Sequence, residues 1–289
     1  MMGLSLDRMA LDDVGANPAR IAGAIHNQLK DVKGAVPVFE VAMALDILDI
    51  RIEPLTTFEG ALVTTAERGE GSILLNKNAS RQRQRFTAGH ELLHFLSPIH
   101  RPTSEDGFWC SRADMTERRL DAQDLHQRQE AEANVFAIEL LAPRSYIKPY
   151  LRRAPSLGAV MEMASSLDIS KEAAARRYVE CHGETLAVVF SRNGRVLYFD
   201  VARDFPRLAL GKGMSLPKLT GGSDETPLGA MEEVPSDDWL STPSGVEMEA
   251  QTLQQQNGYA MTLLHVLADE DDEDMGIEDA YDRFTRSRS

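Results

Sequence analysis

The stretch that most constrains this chain is Phe86-Thr87-Ala88-Gly89-His90-Glu91-Leu92-Leu93-His94-Phe95-Leu96, which contains His-Glu-x-x-His. On a helix, positions four apart lie one above the other on a single face. His90 and His94 can therefore present two imidazoles to one ion. Glu91 is turned about 100° from His90, so it can reach a water held by that ion without binding the ion itself. Two histidines with a coordination position left open suit zinc, with manganese as the alternative. Random placement in a chain of this composition yields roughly 0.013 such motifs, so the pattern carries weight. Phe86, Leu93 and Leu96 fall on other rows of the same helix and supply apolar anchoring. A surface helix with two incidental histidines would not need them.

A site of this type needs a third protein ligand. The next helical stretch, Gln129 to Pro143, offers Glu130, Glu132 and Glu139. Glu130 and Asn134 are four apart, so Asn134 lies beside Glu130 and can brace a metal ligand by hydrogen bonding to it. Glu132 lies well round the helix, and Glu139 reads as part of a solvated face. Glu130 is the expected ligand, with Glu132 as the alternative.

Around this core the patterning predicts an α+β chain. Helices are expected over 18–32, with Pro18 in the first turn and Asn17 as cap, and over 37–46. Alternating or apolar runs at 49–54, 58–64 and 72–76, separated by turn-rich breaks, predict a small three-stranded sheet. A helix over roughly 80–96, capped by Asn78 or Ser80, carries the histidines. Residues 98–115 read as a loop, and a helix runs from about Thr116 to Leu141 before Pro143 stops it. Residues 156–182 hold two shorter helical patterns split near Asp168–Ser170, with Ser170 as cap. Beyond them, Leu186–Ser191 and Arg195–Val201 predict a strand pair joined by Arg192-Asn193-Gly194. Gly, Pro or Ser fills 15 of the 35 positions over 211–245, which marks a long loop, and Tyr259–Val266 reads as a final strand. The expected organisation is a domain over 17–155, a helix-turn-helix-like segment over 156–182, a β-containing C-terminal region over 183–268 and an acidic tail over 269–289.

The net charge of −14 argues against general nucleic-acid or membrane-surface binding. Nine acidic side chains and no basic one fall in 269–282, which reads as a solvated, disordered tail. Residues 143–182 carry seven basic and four acidic side chains, leaving room for a small DNA contact there as an alternative. The two cysteines, Cys110 and Cys181, form no Cys-x-x-Cys spacing, as expected of a reducing compartment. With no signal-peptide core near the start and no run of 18 apolar residues, the cytoplasm is the simplest location. Cys110 lies in the loop between the two ligand-bearing helices. A thiolate there would fill the ion's open position and act as a regulatory thiol, silencing the site until it is oxidised or displaced. Plain packing beside Trp109 is the simpler expectation.

Two blocks carry a resemblance. Arg83-Gln84-Arg85-Phe86-Thr87-Ala88-Gly89-His90-Glu91-Leu92-Leu93-His94, followed by Glu130-Ala131-Glu132-Ala133-Asn134-Val135-Phe136-Ala137-Ile138-Glu139-Leu140-Leu141-Ala142-Pro143, closely resembles the ImmA/IrrE metallopeptidases over about residues 17–182. Gly89 departs from the family pattern, where another residue usually precedes the first histidine. The resemblance implies a minimal zincin-like domain with Glu130 as third ligand. It also implies a zinc-dependent endopeptidase that cuts a helix-turn-helix repressor and so switches on stress-response or mobile-element genes. In that chemistry Glu91 is the general base and then the acid. An extended substrate would pair with a sheet edge, for which Ile73–Asn76 is the candidate. Tyr146, His100 and His126 are candidate oxyanion donors. The competing readings are a DNA-binding regulator acting through 156–182 and a catalytically silent protein whose zinc only holds a shape.

Overall fold

A computed structural model describes residues 4–29, 32–65, 67–102, 104–105, 107–219, 227–242 and 245–267. Two compact units are present, Met1–Arg152 with Met161–Arg177, and Arg153–Val160 with Tyr178–Ser289. The fold is α+β. The helices are α1 (Met9–Asp12), α2 (Pro18–Gln28), α3 (Val38–Ala44), α4 (Arg81–Leu96), α5 (Leu125–Leu141), α6 (Arg144–Leu151), α7 (Leu157–Leu167) and α8 (Lys171–Cys181). The strands of the first unit are β1 (Ile47–Glu53), β2 (Gly60–Thr64), β3 (Gly71–Asn76) and β4 (Gly107–Cys110).

In the first unit the four strands lie in the order β1-β3-β2-β4, with β1 parallel to β3 and the other pairs antiparallel. Alternation along β3 turns Ile73 and Leu75 into the core and leaves Ser72 and Leu74 on the other face. Helix α4 packs across β2 and β3, and α5 packs on α4 and α2. Leu92, Phe95 and Phe136 are among the side chains sealed between these layers, each contributing about 1.5–3 kcal/mol. Asn17 caps α2 by accepting from the Arg20 amide at 3.0 Å. That helix stops at Gln28, short of the expected 32, and residues 30 and 31 lie outside the described set.

Strand β4 lies within the segment expected to be a loop and adds a fourth strand to the expected three. It pairs along β2 from Val63↔Gly107 to Gly60↔Cys110. Gly107 opens it at φ 134°, where an added Cβ would collide with the Leu62 carbonyl, so no other residue starts this strand unstrained. Helix α5 begins at Leu125, nine residues later than expected, because Asp124 caps it through the His126 amide at 2.8 Å. Residues 114–116 form a short 3-10 turn instead.

The second unit is built on a five-stranded antiparallel sheet in the order β6-β5-β9-β8-β7. Its strands are β5 (Thr185–Arg192), β6 (Arg195–Val201), β7 (Glu232–Glu233), β8 (Met248–Gln254) and β9 (Tyr259–Val266). Ala187, Val189, Val196, Ala250 and Leu264 pack against Phe205, Leu208, Trp239 and Leu240 from the long connection between β6 and β8. That connection, expected as plain loop, therefore supplies half of a core. It also contains β7 and a 3-10 turn at Ser236–Asp238. The acidic tail lies outside the described residues. Among those described, no helix is long and apolar enough to cross a membrane.

Candidate metal centre

Ser80 starts α4 by accepting from the Arg83 amide at 3.3 Å. Three turns later His90 and His94 face α5. The two helices approach closely because Gly89 has no side chain: a Cβ there would already touch Ala137 Cα and Cβ at 3.4 Å. Gly89, the departure noted in the sequence, therefore sits at a close contact between the two helices. This approach brings Glu130 to both histidines. His90 Nε2 lies 3.0 Å from Glu130 Oε2 and 3.1 Å from His94 Nε2, and His94 Nε2 lies 3.5 Å from Glu130 Oε1. Zinc bonds to nitrogen and oxygen run near 2.0–2.2 Å, so a tetrahedral set would have edges of about 3.3–3.6 Å. The triad, at 3.0, 3.1 and 3.5 Å, comes close to that spacing and would open slightly around an ion. Glu130 Oε1 is buried with no hydrogen-bond partner, as expected of an oxygen reserved for a cation. The donors thus fit a zinc ion.

A fourth donor, Cys110 Sγ, joins them, and the four ligand atoms all lie within 4.8 Å of one another. Each of the four residues is buried to 1 % exposure or less. The expectation that Cys110 packs beside Trp109 does not hold. Neighbours in a strand face opposite ways, so Trp109 meets Phe58 at 5.3 Å between ring centres while the Cys110 thiol donates to Glu91 Oε2 at 3.6 Å. Glu91 itself nests against Gly60, the partner of Cys110 across β2 and β4.

The bracing residues differ between the two histidines. His90 Nδ1 lies 2.9 Å from Asn134 Oδ1, and Asn134 Nδ2 donates to the Asp114 and Glu117 carbonyls at 2.8 and 2.9 Å. Because the amide nitrogen is committed, the oxygen must face His90, which makes His90 Nδ1 the donor. His94 Nδ1 instead lies 2.9 Å from His100 Nδ1.

Burial sets the electrostatics. It raises the Glu91 pKa to about 8, reinforced by the Glu130 charge and opposed by His90. It lowers His94 to about 3 against the pull of Glu130. Burial also works to lower His90, but Glu130, Glu91 and Asn134 outweigh it and hold His90 above its ordinary value. For Glu130, burial works against the charged form, yet pairing with His90 and His94 keeps its carboxyl below the usual range. Burial, together with the Glu91 and Glu130 charges, pushes the Cys110 thiol well up, so it is a protonated donor when no cation is present.

The other expected residues fall elsewhere. Glu132, the alternative ligand, points to His100 Nε2 at 3.0 Å and is outside the donor group. Glu139 is not on a solvated face: it pairs with the buried Arg177 guanidinium at 2.7 Å. Tyr146 donates to the Val32 carbonyl at 2.7 Å and stacks edge-on against His26, so it plays no part here. His100 lies behind His94. Only His126, of the three candidate oxyanion donors, borders the donor group, 3.4 Å from Glu130 Oε1 and 40 % exposed. The substrate-pairing strand also needs correction: β3 is interior, and the edges are β1 and β4. The sequence does not reveal that the Asp114 and Glu117 carbonyls are held by Asn134 beside the site, because nothing in the linear pattern there reports that contact.

A His-Glu-x-x-His helix crossed by a second helix that supplies a carboxylate defines a zincin-like metal centre. Residues 45–178 match the family model described as Peptidase_M78, IrrE N-terminal-like domain, in agreement with the resemblance that the two sequence blocks carry. Among solved structures, the chain is similar to a Mycobacterium tuberculosis transcriptional regulator at 10 % identity and a TM-score of 0.51, covering 90 % of this chain and 80 % of that one. At that identity the likeness concerns the fold alone. No curated protein matches.

Proposed function

We propose that the chain is a zinc-dependent endopeptidase whose substrate is a helix-turn-helix repressor, so that cleavage switches on stress-response or mobile-element genes. The convergence of His90, His94 and Glu130 at 3.0–3.5 Å, with Glu91 beside them, carries this reading. Zinc, when bound, supplies a Lewis acid that polarises a carbonyl and lowers the pKa of water. Glu91 has the position and the basicity to take a proton at Oε1, which is buried and has no hydrogen-bond partner. Its pKa of about 8 lies close to the operating range that favours proton transfer in both directions. It can then return that proton to the leaving amine. His126 is the residue best placed to meet negative charge developing at the scissile carbonyl. β4, an edge strand that carries Cys110 into the site, is the strand an extended substrate would join. The donors are buried, so a peptide reaches them only after local rearrangement.

A DNA-reading role for α8 has little support. Arg177 is buried against the Ala142 carbonyl and Glu139, and Arg176 pairs with Glu172 at 3.1 Å. A shape-holding zinc does have one observation in its favour: Cys110 supplies a fourth donor in a closed, buried set, the pattern of structural zinc. The same fourth donor also supports a separate reading, in which Cys110 is a latch on an active peptidase.

Coexpression with a neighbouring helix-turn-helix repressor, read by mass spectrometry, separates these readings. Under the peptidase reading Glu91→Gln keeps one equivalent of zinc and loses at least about 100-fold in cleavage. Under the latch reading Cys110→Ala cleaves faster than wild type. If neither wild type nor Cys110→Ala cuts the repressor while both hold zinc, the peptidase reading is wrong.

A further inference from the structure

His94 reaches the metal centre with Nε2, and its other nitrogen faces away. There Nδ1 lies 2.9 Å from His100 Nδ1, and His100 Nε2 lies 3.0 Å from Glu132 Oε2. Both imidazoles are fully buried. A histidine that ligates an ion does so as the neutral imidazole. A neutral imidazole has one N–H and one lone pair. Two Nδ1 atoms facing each other can share only one proton.

That restriction fixes every proton in the row. If His94 Nε2 offers its lone pair to an ion, His94 Nδ1 carries the hydrogen and donates it to His100 Nδ1. His100 then carries its hydrogen on Nε2 and donates it to Glu132, which only accepts when ionised. The reverse arrangement would protonate His94 Nε2 and spoil the ligand. It would also leave the Glu132 carboxylate facing a lone pair. The Glu132 charge thus selects the tautomer of a histidine two residues away in the chain of contacts.

His100 is not held there by chance. The Arg68 guanidinium donates to the carbonyls of Ser97 and His100, setting the turn that follows α4. On the other side Gln129 exchanges two hydrogen bonds with the Arg101 backbone, at 2.6 and 3.1 Å, tying the same turn to α5. The His94 ring is also stacked on Phe108 at 4.5 Å between centres, which limits its rotation.

We propose that His100 and Glu132 are positioning residues that lock His94 in its metal-binding tautomer. The proposal rests on the reading of His90, His94 and Glu130 as a zinc site. A carboxylate behind a ligand histidine commonly accounts for about 10–100-fold in metal affinity, and here the effect would act through an intervening imidazole. Zinc affinity, measured by competition with a chromophoric chelator, should fall about 10–100-fold in His100→Phe. In Glu132→Gln, which keeps an oxygen able to accept from His100, the loss should sit near the lower end. Nitrogen-15 NMR of the zinc-loaded wild type should find His94 protonated at Nδ1 and His100 protonated at Nε2. A wild-type chain that takes up no zinc overturns the metal centre and this proposal with it. Wild type that binds zinc, with both folded variants binding it within threefold as tightly, overturns the positioning role alone. So does His100 protonated at Nδ1, an outcome that needs no variant to fold.

Discussion

Gly60 is where the sheet makes room for the site, and replacing it with alanine tests that claim directly. A Cβ at Gly60 would overlap the Thr87 Cγ2 methyl and stand 2.9 Å from Glu91 Oε1. Neither neighbour can step aside easily. Thr87 is buried on α4 with its hydroxyl directed at Met115 Sδ, 3.9 Å away, and Glu91 is fully buried. Overpacking of one methyl into such a place costs about 1–3 kcal/mol. Thr87→Ser removes the offending methyl and should by itself cost about 0.5–1.5 kcal/mol, the usual range for deleting one buried methyl group. In the double variant the two changes compensate, so the combined loss should fall short of the sum by about 1 kcal/mol or more, within the range seen for contacting residues. Urea unfolding of the four proteins gives the cycle, with a midpoint shift on the order of 1 M for Gly60→Ala. Zinc uptake in Gly60→Ala should persist, since the atoms nearest the added Cβ belong to Thr87, Glu91 and Leu74 and to none of the three ligands, while cleavage falls because Glu91 is displaced. Strict additivity of the two stability changes, or a Gly60→Ala chain as stable as wild type, would refute the reasoning.

Two further outcomes are expected. Arg85, only 3 % exposed, donates to the Val36 carbonyl at 2.9 Å and the Asp168 carbonyl at 3.1 Å, and faces the Asp168 carboxylate at 3.4 Å. Arg85→Ala should cost about 3–5 kcal/mol in urea unfolding, because it strands buried acceptors; a loss under 1 kcal/mol contradicts the account. His26 donates to the Glu139 and Leu140 carbonyls at the end of α5, and burial holds its pKa below 6.5 despite them. The unfolded chain therefore binds the proton more readily, so this contribution is complete above pH 6.5 and is lost as pH falls towards the folded-state value. His26→Gln should be less stable than wild type at pH 7.5, and that gap should narrow at pH 5.5. The other buried histidines are common to both proteins and cancel in the comparison. A gap that widens in acid contradicts the sign.

Much of the first unit was legible because local signals and packing agree there. Asn17, Pro18 and Ser80 announce helix starts, and the structure uses each of them. The pairing of His90, His94 and Glu130 follows from helical spacing plus one long-range contact. What failed to show was the part set by tertiary hydrogen bonds. The stretch 116–124 has ordinary helical composition, yet Asn134 takes the Asp114 and Glu117 carbonyls and Asp124 caps α5. β4 is four residues long and is defined by its partner β2 rather than by its own pattern. β8 was missed because Met248–Gln254 mixes Glu and Gln with small residues, and it becomes a strand only between β9 and β7. Cys110 lay in the right loop, but its facing depends on strand alternation that could not be assigned before the strand was known.

The donor atoms of the site conflict with one another. Two imidazole nitrogens meet at 3.1 Å, two carboxylates each leave a buried oxygen without a partner, and none of the four donors reaches solvent. Buried polar atoms left unpaired cost about 1–3 kcal/mol each, and nothing local to α4 or α5 offsets this. The offset comes from the layers around the site, where Gly89 against Ala137 and the sealed Leu92, Phe95 and Phe136 hold the helices together whatever the donors prefer. Such an arrangement concentrates lone pairs in a small dry space. A cation held by His90, His94 and Glu130 relieves both the imidazole contact and the unpaired Glu130 oxygen at once, whereas a neutral ligand of the same size would relieve less. The same packing that forces these donors together also preorganises them, so little rearrangement of the three ligands would be needed to hold a cation.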